Sequence, residues 1–156
     1  MAFKSGTGTI QRFFEITPQI LEISFTGNSA ATETANFNSN VSTSATHVLC
    51  DIFVTKSTND HQNIMMGRSG QVGNNKNWVD TAGAQPSGQF QNMGANLIIL
   101  TTHGESDGYN DNYGIWYSSQ MVPTTGRTFY WNNYGNSGSN GYIYIKYRGY
   151  YESEGN

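Results

Sequence analysis

Thr46-His47-Val48-Leu49-Cys50-Asp51-Ile52-Phe53-Val54-Thr55 is the stretch that decides the fold. Val48, Cys50, Ile52 and Val54 recur at every second position, and Leu49 and Phe53 do the same on the other side, which is the period of a strand. With apolar residues on both faces, the segment reads as a central strand buried in the middle of a sheet. Cys50 counts there as a small buried hydrophobe. It is the only cysteine in the chain, so no intrachain disulfide can form, and synthesis in a reducing cytoplasm is expected.

Working outward, the same period returns. Leu21, Ile23 and Phe25 alternate with Glu22 and Ser24 over Gln19 to Thr26. Lys56 to Gln62 has turn chemistry, which makes Asn63 to Arg68 the expected return strand paired with the central one. Asn96 to His103 holds the apolar run Leu97-Ile98-Ile99-Leu100 and reads as a second buried strand. Short strands are expected at Asn77 to Thr81 and Gln89 to Met93, and after the polar loop come the apolar groups Ile115-Trp116-Tyr117 and Met121-Val122-Pro123. Phe129 and Trp131 share a face of Arg127 to Trp131. Asn132 to Gly141 reads as a tight exposed connection, and Asn28 to Ala45 as an exposed strand or long loop. The last strand, Tyr142 to Tyr151, turns Ile143, Ile145 and Tyr147 inward and Tyr142, Tyr144, Lys146, Arg148 and Tyr150 outward. No stretch keeps a helical period. Seven to nine short strands with Gly/Asn turns define an all-β chain, a single β-sandwich or jelly-roll-like domain. Its expected bounds are residues 18–156, preceded by a short N-terminal arm, residues 1–17.

Composition agrees with one folded domain whose surface is polar but uncharged. Charged residues make up 12% of the 156-residue chain, against roughly 25% in ordinary globular proteins, while aromatics reach 13%. That aromatic content, gathered in alternating segments, argues against disorder. A net charge of -3 supplies no basic stripe for nucleic acid. No apolar run is long enough for a membrane helix, so neither nucleic acid nor membrane insertion is expected.

Catalytic motifs are weak. His47, His61 and His103 are scattered without metal-ligand spacing. No nucleophile elbow, phosphate loop or dinucleotide fingerprint occurs. The oxygen-rich loop His103 to Gly114 offers Glu105, Asp107 and Asp111 to a hard cation, but without EF-hand spacing it reads as solvated turn. The expectation is therefore a protein that is not an enzyme, with no cofactor and no metal. The informative residues are aromatic: Tyr109, Tyr113, Trp116, Tyr117, Tyr134, Tyr142 and Tyr144 lie in polar loops or on the outward face of the last strand. Tyrosine and tryptophan pair a rigid apolar body with a polar tip, which suits protein interfaces and sugar rings alike. Phe13, Phe14 and Ile16 are the candidate assembly residues of the arm.

The runs Thr46 to Val54, Gly114-Ile115-Trp116-Tyr117, Arg127 to Trp131 and Asn136 to Gly149 resemble the small β-sandwich domains on the surfaces of tailed-bacteriophage particles. Those are fibre-tip, receptor-binding and capsid-decorating proteins. The resemblance implies a virion structural protein made in the host cytoplasm and displayed on the particle surface. It also implies a homo-oligomer, a trimer by preference, attached through its N-terminal arm to other virion proteins, with a cell-surface glycan as a further candidate partner. The Gly/Asn/Ser-rich, charge-poor texture is shared with lectins, so a stand-alone carbohydrate-binding module is the alternative.

Overall fold

A computed structural model of the protein describes residues 2–4, 10–26, 29–56, 62–68, 97–102, 113–135 and 140–154. Among these residues run nine strands: β1 (Ala2–Lys4), β2 (Ile10–Thr26), β3 (Ser29–Asn36), β4 (Ala45–Lys56), β5 (Gln62–Gly67), β6 (Leu97–Thr102), β7 (Tyr113–Pro123), β8 (Thr128–Gly135) and β9 (Asn140–Ser153). Their pairing is nested. β2 pairs with β9, β3 with β8, β4 with β7 and β5 with β6, every pair antiparallel. This is the pattern of one long double ribbon. Lateral pairing of β9 with β4 and of β8 with β5 rolls the ribbon into two sheets, ordered β1-β2-β9-β4-β7 and β3-β8-β5-β6. The chain is thus an all-β sandwich with the connectivity of a jelly roll.

The alternation read from β4 and β9 builds the core. Val48, Cys50, Ile52 and Val54 from β4 and Ile143, Ile145 and Tyr147 from β9 are buried against Ile64, Met66, Leu100, Phe129 and Trp131 of the second sheet. Phe37 joins the layers where β3 ends. Its ring centroid is 5.0 Å from Phe129 and 4.8 Å from Tyr147, edge-on to the latter. The Tyr147 phenol oxygen accepts the Asn38 backbone N–H at 3.3 Å, which satisfies a polar atom carried into the interior. Nearby, Arg127 Nε donates to the Val41 carbonyl at 2.6 Å and the Gly126 N–H to Ala45 at 2.9 Å. Gly126 has φ +61, and a Cβ there would press on the Thr43 carbonyl, so the turn requires glycine.

Three register shifts line up across the five-stranded sheet: between Glu15 and Gln19 on β2, at Arg148 on β9, and at Ser118–Ser119 on β7. Asp51 on β4 ties two of them together. One carboxylate oxygen accepts the Ser119 N–H at 2.8 Å and the other accepts Arg148 Nη1 at 3.0 Å, while Arg148 Nη2 donates to Ser119 Oγ at 2.9 Å. Ser119 has φ 53, a left-handed conformation uncommon for a residue with a side chain and held here by that contact. Each extra residue flips the side chains beyond it to the opposite face.

Several expectations are corrected here. Tyr150, expected outward, lies beyond the Arg148 bulge and packs against the core, with its ring stacked on Phe14 at 5.2 Å. The segment expected as an arm is, from Ile10 onward, part of β2. That strand crosses the expected boundary at Thr17 and pairs with β9 from Gln11. Phe13 lies over Gly149 and its centroid is 5.0 Å from Tyr151, and Ile16 packs on the core, so these apolar groups find partners within their own domain. Asn63 to Arg68 does form strand β5, but it pairs with β6 and β8 in the other sheet rather than with β4. Asn132 and Asn133 are buried strand residues and not an exposed connection; Phe37 and Val41, inside a polar stretch, are core. The expected strands at 77–81 and 89–93 lie outside the described residues.

Phe37→Ala should destabilise the domain by about 3–5 kcal/mol, because it opens a cavity between the sheets. Thermal unfolding followed by circular dichroism should show the melting temperature falling by roughly 10 °C. Phe14→Ser should lower it as well, whereas a detached arm would leave it unchanged. Asp51→Ala should cost about 1–3 kcal/mol through the two contacts it loses.

Candidate functional site

With Ile52, Val54, Ile143 and Ile145 committed to the interior, their neighbours must face out. Register then sets Trp116 on β7, Phe53 on β4, Tyr144 on β9 and Glu22 on β2 in one row across the outer face of the five-stranded sheet. Gly114, Thr55, Tyr142 and Ser24 form the next row, and Asp51, Lys146 and Ile20 lie on the other side. The rings touch along the row: Trp116 to Phe53 at 4.6 Å between centroids, Phe53 to Tyr144 at 6.4 Å, and Tyr144 to Tyr142 at 5.8 Å, all near-parallel. A Cβ on Gly114 would overlap the Phe53 ring, whose tip lies over that backbone.

Among the described residues this face carries most of the exposed large hydrophobics. Ile20 is 71% exposed, Trp116 67%, Tyr142 44% and Met121 41%, and among the described residues only Ile10 joins them as an exposed large hydrophobic. Such concentration on one face marks an interaction surface, whereas single scattered exposures would not. Loss of hydration raises the Tyr144 phenol above its usual range, with Glu22 and then Tyr142 adding to the effect. The charges nearby are Glu22, Lys146 and the Arg148–Asp51 pair, whose part-exposed geometry makes it a weak Coulombic contribution.

The sequence-derived candidates divide. Trp116, Tyr142 and Tyr144 come together on this face. Tyr117 does not: it pairs with Ile52 and packs against the core, because adjacent strand residues point to opposite sides. Tyr113 lies in β7 and Tyr134 in β8, their side chains outside the description, and Tyr109 lies outside the described residues, as do His61, His103 and the oxygen-rich loop up to residue 112. His47 Nδ1 is 3.2 Å from Thr46 Oγ1. Among the described residues no group of three or more His, Cys, Asp or Glu side chains could hold a metal. Sequence reasoning missed Phe53, Ile20 and Met121. The signal for Phe53 was available, since it alternates with Asp51 and Thr55 on the outward positions of β4.

Cys50 is fully buried, its Sγ 3.4 Å from the Val48 carbonyl oxygen. Burial pushes the thiol well above its usual range and the Asp51 carboxylate pushes it further, while Arg148 pulls it partly back. A thiol held protonated in this way is a poor nucleophile.

No protein-family model matches the chain, and no curated protein is similar to it.

Cys50 should therefore resist iodoacetamide at mildly alkaline pH in the folded protein and react at the rate of a free thiol once guanidinium unfolds it. Mass spectrometry reads both states. Rapid modification of the native protein would contradict the burial described.

Proposed function

We propose that the protein is a non-enzymatic virion structural protein, displayed on the surface of a tailed-bacteriophage particle and working as a small symmetric oligomer, a trimer by the resemblance in sequence texture. The observation that carries this reading is the stacked aromatic row Trp116–Phe53–Tyr144 with exposed Ile20, Tyr142 and Met121 around it. A rigid sheet that presents a neutral apolar face is suited to permanent contact with other protein surfaces. The jelly-roll connectivity supports the reading by analogy, since viral coat domains and lectins both use it. Display on the outside of a particle also accords with a charge-poor surface that gives nucleic acid no foothold.

Carbohydrate recognition is the second reading, carried by the exposed indole of Trp116. In that case the protein would act as a receptor-binding or stand-alone lectin module.

An antibody against the protein, applied to virions purified from cells that produce it, should label intact particles in electron micrographs. Protein found only in the soluble fraction, with no label on particles, would overturn the virion reading. On a glycan array, binding to a defined sugar that disappears in Trp116→Ala would establish the lectin reading in its place.

A further inference from the structure

We infer that the edge of β2 from Gln19 to Thr26 receives an extended segment of another protein, which joins the five-stranded sheet as a further strand with apolar side chains toward the core and basic ones toward solvent. Neither the aromatic face nor a place on a virion is needed for this.

The backbone sets the kind of occupant. β2 runs for 17 residues and β9 accompanies it from Gln11 to Thr26, but β1 covers its other side only at Ile10, Gln11 and Arg12. Beyond those three, no described strand lies on that side. Every second residue of an antiparallel strand directs its N–H and C=O to the same side, so Gln19 to Thr26 offers a row of unpaired donors and acceptors. The partner such a row fits is another extended backbone, and β1 shows that this edge accepts one. The other edges are less suited. β7 is broken at Ser118–Ser119, where Ser119 has φ 53, and β5 and β6 approach it. β3 carries the exposed Glu33 in register with the buried Trp131, hence on its core side, and an inward charge of this kind obstructs strand addition. Gln19 to Thr26 contains no proline, no irregularity in its pairing with β9 and no charge on the core side.

Side chains along the edge set its chemistry. Leu21 and Ile23 lie in register with the fully buried Ile145 and Ile143, yet are themselves only half-buried. Ala35 on β3, in register with the buried Phe129, is half-buried as well. β6 and β7 approach each other on one side of the sandwich, whereas among the described residues β2 and β3 make no comparable approach on the other. Apolar side chains on the core side of an added strand would complete the burial of Leu21 and Ile23, and the alternate positions would stand beside Glu22 on the outer side. Beyond Arg12, the charged residues of β2 and β3 are Glu15, Glu22 and Glu33, all acidic, while the cation Lys146 stands on the β9 side of β2. This favours Lys or Arg at the outward positions of the occupant. It disfavours a second β2, which would bring like charges together.

The probe is a fluorescein-labelled synthetic peptide, Lys-Val-Lys-Val-Lys-Val-Lys-Val, titrated with the intact chain and followed by fluorescence anisotropy. It should bind saturably, and roughly tenfold more tightly than the acidic peptide with Glu in place of every Lys. Proline in place of a central Val should abolish binding, because it removes a backbone donor and stops the added strand. Glu22→Lys, at an exposed position, should weaken the basic peptide several-fold and strengthen the acidic one. Hydrogen exchange read residue by residue by NMR gives the location: in the free chain every second amide from Gln19 to Thr26 should exchange fast, and those amides should slow with the peptide bound while β7 is unchanged. Absence of saturable binding overturns the inference, as does equal binding of the proline-interrupted peptide or protection on β7 in place of β2. Uniform protection of Gln19 to Thr26 in the free chain overturns it too, since the edge is then already covered. Equal affinity for the basic and acidic peptides, or indifference to Glu22→Lys, removes the basic segment as the occupant.

Discussion

Everything described depends on the register of β9 between β2 and β4. Ile143, Ile145 and Tyr147 are buried along one side of that strand, and Ile52 and Val54 are fixed opposite them. A slip of one residue would exchange the buried and outward sets completely, so burial of three large side chains on β9 specifies which residues must be outside. The aromatic face is thus a by-product of the core: Tyr142, Tyr144 and Phe53 have no choice of side once their neighbours are committed. Asp51 marks where this rule stops. By holding the bulges at Ser119 and Arg148 it breaks the alternation along β9, which returns Tyr150 to the interior and sets Tyr151, with Phe13 beside it, on the outer face in the other half of the sheet.

The two faces of the five-stranded sheet differ in chemistry as well as in exposure. Inside, aliphatic residues and a few rings interdigitate with the second sheet, and the phenol of the fully buried Tyr147 has its hydrogen bond from Asn38. Outside, rings pack on rings across strands, a lateral contact worth about 0.5–1.5 kcal/mol per aromatic pair beyond simple burial. These contacts stiffen the face without covering it. A stiff, preorganised surface loses little side-chain freedom when a partner arrives, which favours association.

The sequence announced much of this. β4 was readable from Val48 to Val54, because an alternating run of β-branched and aromatic residues has no other regular conformation, and the first half of β9 from Tyr142 to Lys146 for the same reason. Trp116, Tyr142 and Tyr144 were legible as surface aromatics. What escaped reading depended on long-range pairing. Phe37 and Val41 are single apolar residues in a polar stretch, and only the closing of the two sheets buries them. Asn132 and Asn133 look like turn formers, yet they continue β8 because β5 pairs with that part of the strand. The Arg148 bulge leaves no local trace, since Arg148-Gly149-Tyr150 fits an unbroken alternation as well as a broken one. The N-terminal segment was misread because its partners, Gly149 to Ser153, lie at the far end of the chain.

The account stands on the claim that the outer face of the five-stranded sheet is covered when the protein works. Hydroxyl-radical footprinting read by mass spectrometry measures this directly, by comparing the dilute free chain with the chain on virions purified from cells that produce it. The account predicts strong protection of Trp116, Tyr142 and Met121 in the assembled state, with little change at exposed polar positions such as Asn40 and Glu154. Equal oxidation of Trp116, Tyr142 and Met121 in both states would contradict it.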